Sequence, residues 1–128
     1  MKRMNEEVEL GEGVVAKYRR HENGRGYVAA GARVHPGAFV SGTAYVESGA
    51  QVGAETWIGP GSWIDHGAVI GTKVFIGQNV HVGEDSVIGN GARLGSYSKI
   101  GPAARIGVSA HLERDSHIPA KTVFGRVA

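Results

Sequence analysis

The residues of this sequence best suited to chemistry are an adjacent acid and imidazole, Asp65 and His66, in the stretch WIDHG. An imidazole can accept a proton near neutral pH, and a carboxylate beside it can fix its tautomer. The pair therefore has the composition of a general base with an orienting acid. The alternative interpretation is that both are polar residues at a solvated turn. Because the chain has no cysteine, disulfides, thiolate metal sites and cysteine nucleophiles are excluded.

A metal site is the second chemistry to consider, because the chain has six histidines. The pair nearest in sequence, His111 and His117, has the spacing of the repeat described below, which puts the two on adjacent faces. His81 and His117 share a face but lie roughly 10 Å apart, too far for imidazoles that bind one ion at about 2.0 Å each. We therefore predict no metal site within one chain and leave open a site between subunits. The alternative interpretation treats every histidine as a solvated surface residue.

The elements that must position these residues come from a hexapeptide repeat. An aliphatic residue recurs at every sixth position from Val28 to Ile118, with Phe124 next in phase, and a small or β-branched residue precedes each by two. Period six is not helical, whereas residues two apart point to the same side of a strand. The 21 glycines, with Pro, Asn and Asp, suit tight turns between strands. One such unit cannot bury its apolar side alone, so the pattern predicts stacked copies.

The outward residues predict how the copies stack. Each outward residue directly precedes an aliphatic one, and grouping every third repeat separates three columns of different composition. The first column is Tyr27, Tyr45, Trp63, His81, Lys99 and His117; the second is Arg33, Gln51, Val69, Val87, Arg105 and Val123; the third is Phe39, Trp57, Phe75, Arg93 and His111. Three columns of distinct chemistry indicate that the stack repeats every 18 residues.

This repeat resembles that of the bacterial transferase hexapeptide-repeat family over about 100 of the 128 residues. The resemblance implies an all-β, single-domain left-handed parallel β-helix of about five to six triangular coils, a rare exception to right-handed crossovers. We assign residues 1–25 to an N-terminal cap strand and basic loop, with strands in 8–16 and the loop at 17–25. Residues 26–128 are assigned to an uninterrupted hexapeptide-repeat β-helix.

Two further resemblances bear on activity. The stretches VHPGAFV and WIDHG are similar to parts of serine acetyltransferase, and HIPAKTVFG at the end is similar to the segment that lines the coenzyme A site in hexapeptide acyltransferases. They imply that His66 is the general base and Asp65 its orienter. They also imply that acetyl-CoA or another acyl-CoA is a substrate, with no permanently bound cofactor. We expect Lys121 in the tail, and Arg19 and Arg20 in the basic run, to contact coenzyme A.

The stretch IDHGAVIG also resembles the γ-carbonic anhydrases, which bind zinc through three histidines that include a His-x4-His pair. This sequence lacks such a pair. A zinc enzyme of that kind is therefore not expected.

Charge and hydropathy limit the partners. The net charge of +2 gives no electrostatic argument for nucleic acid, and no segment is apolar for long enough to cross a membrane. The basic start MKRMNEEVEL is not followed by an apolar run, so it does not have the pattern of a signal peptide. We expect a cytoplasmic protein with neither nucleic acid nor membrane as partner.

The exposed apolar residues predict self-assembly. The second column presents Val69 and Val87, and the third presents Trp57 and Phe75, residues of the kind found in buried interfaces. Pairing of these two faces between copies closes at three, so we predict a homotrimer. No extra loop interrupts the repeat, although acyltransferases of the family commonly carry their acceptor-binding residues on one. A rigid non-enzymatic scaffold or binding module is therefore the alternative function.

Overall fold

The computed structural model describes residues 5–9 and 15–126. Within them the chain forms 19 strands, and no described helix is long and apolar enough to span a membrane. The first face consists of β1 (Asn5–Glu9), β2 (Val15–Arg20), β3 (Tyr27–Ala29), β6 (Tyr45–Val46), β9 (Trp63–Ile64), β12 (His81–Val82), β15 (Lys99–Ile100) and β18 (His117–Ile118). The second face consists of β4 (Arg33–Val34), β7 (Gln51–Val52), β10 (Val69–Ile70), β13 (Val87–Ile88), β16 (Arg105–Ile106) and β19 (Val123–Phe124). The third face consists of β5 (Phe39–Val40), β8 (Trp57–Ile58), β11 (Phe75–Ile76), β14 (Arg93–Leu94) and β17 (His111–Leu112).

The predicted left-handed parallel β-helix, with three hexapeptides in each coil, is confirmed. Among β3 to β19 all strand pairs are parallel and join strands three repeats apart, as when Trp63 faces His81 and His81 faces Lys99. The same register holds on the second face, where Val69 faces Val87, and on the third, where Trp57 faces Phe75. The three sequence columns are therefore the three faces of the prism.

The core is the inward aliphatic column that the repeat predicts. Ile58, Ile64 and Ile76 are fully buried, and the small residues two positions earlier in each repeat fill the space beside them. Serine or threonine at a small position is compatible with burial because its hydroxyl bonds to a turn carbonyl, as Ser62 does to Gly77 at 2.7 Å. Packing along the prism axis therefore holds each coil in register with the next.

The N-terminal cap differs from the prediction. Residues 17–20, assigned to a loop, belong to β2, which pairs antiparallel with both β1 and β3 and covers the first edge of the first face. Tyr18 is 2% exposed and packs edge-on against Tyr27 and Tyr45. Within the predicted strand segment 8–16, residues 10–14 lie outside the described residues. The hexapeptide phase does not extend to this hairpin because antiparallel strands follow a different register.

Candidate active site

Asp65 and His66 lie in the turn that joins β9 of the first face to β10 of the second. Gly67 follows them with a φ of 72°, a left-handed conformation that glycine adopts without steric cost. Neighbouring coils hold this turn on both sides: the Gly67 N–H donates to the Ser48 carbonyl at 3.2 Å, and the Asp85 N–H donates to the His66 carbonyl at 3.0 Å. The pair therefore stands on a corner whose backbone is fixed.

Asp65 brings its carboxylate against the His66 ring. Its Oδ1 accepts hydrogen bonds from the His66 backbone N–H at 2.7 Å and from His66 Nδ1 at 2.8 Å. Burial raises the pKa of the Asp65 carboxyl, but the hydrogen bonds from His66 and from His81 together outweigh burial, and its pKa is below the ordinary value. The group is an ionised acceptor at neutral pH, so it requires a proton on His66 Nδ1.

His66 is left with the chemistry of a base. With the proton on Nδ1, the lone pair of the neutral ring is on Nε2, and 52% of the His66 side chain is exposed. Only 10% of the Asp65 side chain is exposed. A basic nitrogen on this half-exposed ring, held in one tautomer by a shielded carboxylate, can take a proton from a bound molecule.

A second histidine shares the carboxylate, which the sequence interpretation missed. His81 donates from Nε2 to the second Asp65 oxygen, Oδ2, at 3.1 Å. The His81 ring stacks on Trp63, with ring centres 4.2 Å apart and planes 9° apart. The sequence did contain a signal. Asp65 stands directly after a buried aliphatic residue, at a position that is glycine in most repeats, and His81 is the outward residue of the first column in the next coil.

The same arrangement is repeated one coil earlier. Glu47, which has the position of Asp65 in the preceding coil, accepts a hydrogen bond from Trp63 Nε1 at 2.8 Å and one from the Tyr18 hydroxyl at 2.6 Å. Glu47 is 7% exposed. Burial, followed by the Glu47 hydrogen bond and charge, raises the pKa of the Tyr18 hydroxyl, so Tyr18 remains a donor. Trp63, the support of the His81 ring, is thus tied to the N-terminal cap.

Within the described residues, one group of side chains has metal-ligand chemistry, formed by Asp65, His66 and Glu84 with candidate atoms within 4.8 Å of one another. The Asp65 oxygen and the His66 nitrogen of this group face each other at hydrogen-bond distance. They are directed at one another rather than at a common ion, and two of the three residues are exposed. We assign the group to hydrogen bonding, and the expectation of no metal site within one chain remains a prediction.

The residues predicted to contact coenzyme A do not lie together. Arg19 and Arg20 are on β2, whereas Lys121 follows β18, six strand spacings or roughly 29 Å along the first face. Arg20 is engaged in the cap, where its guanidinium donates to the Arg25 carbonyl, the Gly42 carbonyl and the Tyr27 hydroxyl. Arg19 borders a shallow groove on the second face that extends to Val69.

Lys121 does lie on the same corner as His66. Backbone hydrogen bonds link this corner from coil to coil, from Asp85 to His66, from Ala103 to Glu84 and from Lys121 to the Pro102 carbonyl. Three coils separate the two residues, which corresponds to about 14 Å along the axis. The exposed imidazole and the exposed ammonium group therefore stand along one edge of the prism.

Two other histidines have structural roles. His35 Nδ1 accepts the Gly37 N–H at 2.9 Å and so stabilises the turn at residues 35–37. His21 is 3% exposed, so the interpretation of every histidine as solvated is wrong for it. Its Nε2 bonds to the Ala38 carbonyl at 2.8 Å, and burial lowers its pKa, which favours the neutral ring as the donor.

Comparison with known proteins gives matches in sequence and in structure. The family described as bacterial transferase hexapeptide (six repeats) matches residues 55–90 and 67–102, which include the corner with Asp65 and His66. No curated protein matches the chain by sequence. PerB from Caulobacter crescentus, solved in complex with CoA and GDP-perosamine, is 27% identical with a TM-score of 0.75, over 77% of this chain and 48% of that chain. The chain thus spans about half the length of that relative.

More distant solved structures match in part. The acetyltransferase domain of PglB from Neisseria gonorrhoeae FA1090, in complex with acetyl coenzyme A, is 23% identical over 75% of this chain and 52% of that chain, with a TM-score of 0.41. A hexapeptide transferase family protein from Anaplasma phagocytophilum is 17% identical over 75% of this chain and 70% of that chain, with a TM-score of 0.47.

Proposed function

Because the chain carries the hexapeptide repeat of the bacterial transferases, we propose that it transfers an acyl group from coenzyme A to a small acceptor, with His66 as the general base. The observation that carries the proposal is the exposed His66 imidazole held in one tautomer by the ionised Asp65 carboxylate. That PerB was solved with CoA supports acyl-CoA as the donor class.

The reaction assigns each proton to an atom. His66 Nε2 removes the proton from the acceptor hydroxyl or amine as that group forms a bond to the thioester carbonyl carbon. The carbon–sulfur bond then breaks, and the departing thiolate takes the proton back from His66. Asp65 stays ionised throughout and stabilises the imidazolium that forms between the two steps.

Coenzyme A would extend along the corner between the first and second faces. An extended pantetheine arm can cover the roughly 14 Å from His66 to Lys121, and the Lys121 ammonium group would then meet the phosphates. Arg19, at the other end of the prism, cannot contact the same molecule within one chain, so its predicted role requires a neighbouring subunit. Arg20 is left to the cap that its hydrogen bonds already stabilise.

The alternative function, a rigid scaffold or binding module, is favoured by the unbroken coils. From β3 to β19 the strands recur without an inserted loop, so this part of the chain supplies no side wall for an acceptor pocket. In the acyltransferase proposal that wall comes from a neighbouring subunit. Under the scaffold hypothesis the corner binds no acyl donor.

Acetyl-CoA binding and turnover separate the two functions. We expect millimolar acetyl-CoA to raise the melting temperature by mass action, and thiol release to appear with a panel of amino-sugar and hydroxyl acceptors. His66→Ala should abolish turnover and keep the thermal shift, whereas Lys121→Ala should reduce the shift and keep turnover at saturating donor. His111→Ala, an exposed histidine on the third face, is the matched control. Absence of any shift in the wild-type protein would favour the scaffold.

A further inference from the structure

We propose that His81 is a positioning residue, which shares the Asp65 carboxylate with His66 and thereby sets how readily His66 takes up a proton. The inference rests on the proposed function in treating His66 as a base, but its physical content, a coupling of two histidines through one carboxylate, is measurable without catalysis. The residue pattern alone assigned His81 no functional role beyond excluding it from a metal pair.

The geometry that carries the proposal is a carboxylate divided between two rings. Asp65 directs Oδ1 to His66 and Oδ2 to His81, so each ring nitrogen has its own oxygen. An ionised carboxylate only accepts, so both contacting nitrogens carry hydrogen. His81 can hold this position because Trp63 stacks on its ring and is itself anchored by Glu47. Rotation of the Asp65 carboxylate would break both hydrogen bonds.

The preceding coil shows which part of His81 the position requires. Trp63 stands one coil before His81 and donates from its ring N–H to Glu47, just as His81 donates to Asp65. A ring N–H directed at a carboxylate of the adjoining coil is therefore a structural feature common to both positions. Tryptophan cannot take up a proton in this role, whereas histidine can. The Asp65 carboxylate is therefore coupled to a titratable ring, and the Glu47 carboxylate is not.

The surrounding charges define the expected sign. Glu84 lies beside Asp65 and His66, Lys99 is the register neighbour of His81 on β15, and Glu47 lies one coil before Asp65. The His81 N–H offsets part of the Asp65 charge, and a protonated His81 would offset more of it. Either way the attraction of Asp65 for a proton on His66 is weakened. When the His81 N–H is lost, the His66 backbone N–H and ring still hold Asp65 Oδ1. The carboxylate charge is then less offset, so His66 should take up its proton at higher pH.

The test follows the protonation of His66 by NMR of the full chain labelled at histidine, from about pH 4 to 9, a range that spans the ordinary histidine pKa. His81→Phe keeps a ring on Trp63 but has no N–H, and His81→Gln offers an amide N–H at a similar reach. We expect the midpoint of the His66 titration to move to higher pH in His81→Phe and to lie close to the wild-type midpoint in His81→Gln. His117→Phe, two coils further along the first face, should leave it unchanged.

If the enzyme is active, the acid limb of its pH–rate profile should move in the same direction in His81→Phe. kcat near neutral pH should fall because more of His66 is protonated, by less than the roughly 100-fold to 10,000-fold that a general base contributes, and the Gln variant should recover most of it. An identical His66 midpoint in the wild type and His81→Phe would overturn the proposal, as would equal movement in both His81 variants. A protein that releases no thiol while its midpoints behave as expected would refute the acyltransferase function and leave the coupling in place.

Discussion

At the scale of the residue, the site depends on the balance between burial and hydrogen bonding at Asp65. A carboxyl group in a shielded corner would tend to hold its proton, and a protonated Asp65 could not fix the tautomer of His66. The hydrogen bonds from the His66 backbone, the His66 ring and the His81 ring reverse that tendency. The corner turn contributes directly, because it aims the His66 N–H at Oδ1.

This balance predicts how stability depends on pH. Because the pKa of Asp65 is lowered in the folded state, its contribution is fully present above the unfolded value of about 3.9 and is lost as pH falls through the lower folded value. Asp65→Asn should cost about 1–3 kcal/mol in free energy of unfolding near neutral pH. That difference from wild type should shrink below about pH 4 in urea titrations. Asp115→Asn, whose side chain is 71% exposed, should show neither effect.

At this scale, the sequence could predict contacts between residues that are neighbours in the chain. Asp65 and His66 are neighbours in the chain, so their contact was accessible from the pattern, and the structure brings them together. The Asp65–His81 contact crosses between coils and needs the side-chain directions as well as the register of the coils. The engagement of Arg20 was likewise hidden, because its hydrogen-bond partners come from the cap turn and the following coil.

At the scale of the element, each strand of the coils is too short to be stable alone and depends on packing against the strands of the neighbouring coils. From β4 onward, two residues per strand leave one inward side chain, so the free energy of burial comes from aliphatic contacts between coils. This explains why the predicted coil and faces were confirmed: inward and outward positions alternate with no insertion to change the phase. The cap was mispredicted because β2 is antiparallel, and its burial of Tyr18 does not follow the hexapeptide pattern.

A truncation in the inward column should therefore be costly. Ile64 and Ile76 are fully buried, and alanine at either position should lower the free energy of unfolding by about 2–5 kcal/mol through lost burial and an unfilled cavity. Val108→Ala is the control, because Val108 is 56% exposed and should cost under about 0.5 kcal/mol. Chemical denaturation measures all three. Losses under half a kilocalorie at both isoleucines would contradict the inward register.

At the scale of the whole molecule, the prism sorts its exposed apolar side chains by face. The third face carries a ladder in which Trp57 stacks between Phe39 and Phe75, at ring-centre distances of 5.3 and 5.2 Å. The second face carries Val69 and Val87 in adjacent strands. The corner with Asp65 and His66 borders the second face, so a subunit packed there would stand beside the proposed site. A trimer built on this face would connect assembly with the proposed activity.

The homotrimer remains a prediction, and the positions of the exposed apolar residues specify which two faces should form its interface. Trp57 and Val69 are 37% and 36% exposed in the single chain. Contiguous exposed apolar residues mark surfaces that another protein chain buries. The second face of one subunit would pack against the third face of the next, and the heterologous contact closes after three copies.

Light scattering at tens of micromolar protein tests this assembly, with three times the 13.4 kDa chain mass expected for the wild type. Val87→Glu should dissociate the trimer, since burial of an unpaired charge costs several kcal/mol, while Lys99→Glu on the first face should leave it intact. If His66 needs a neighbouring subunit for its acceptor, Val87→Glu should also lose turnover while its isolated coils remain folded by circular dichroism. A monomeric wild-type protein would contradict the trimer, and a trimeric Val87→Glu would place the interface on other faces.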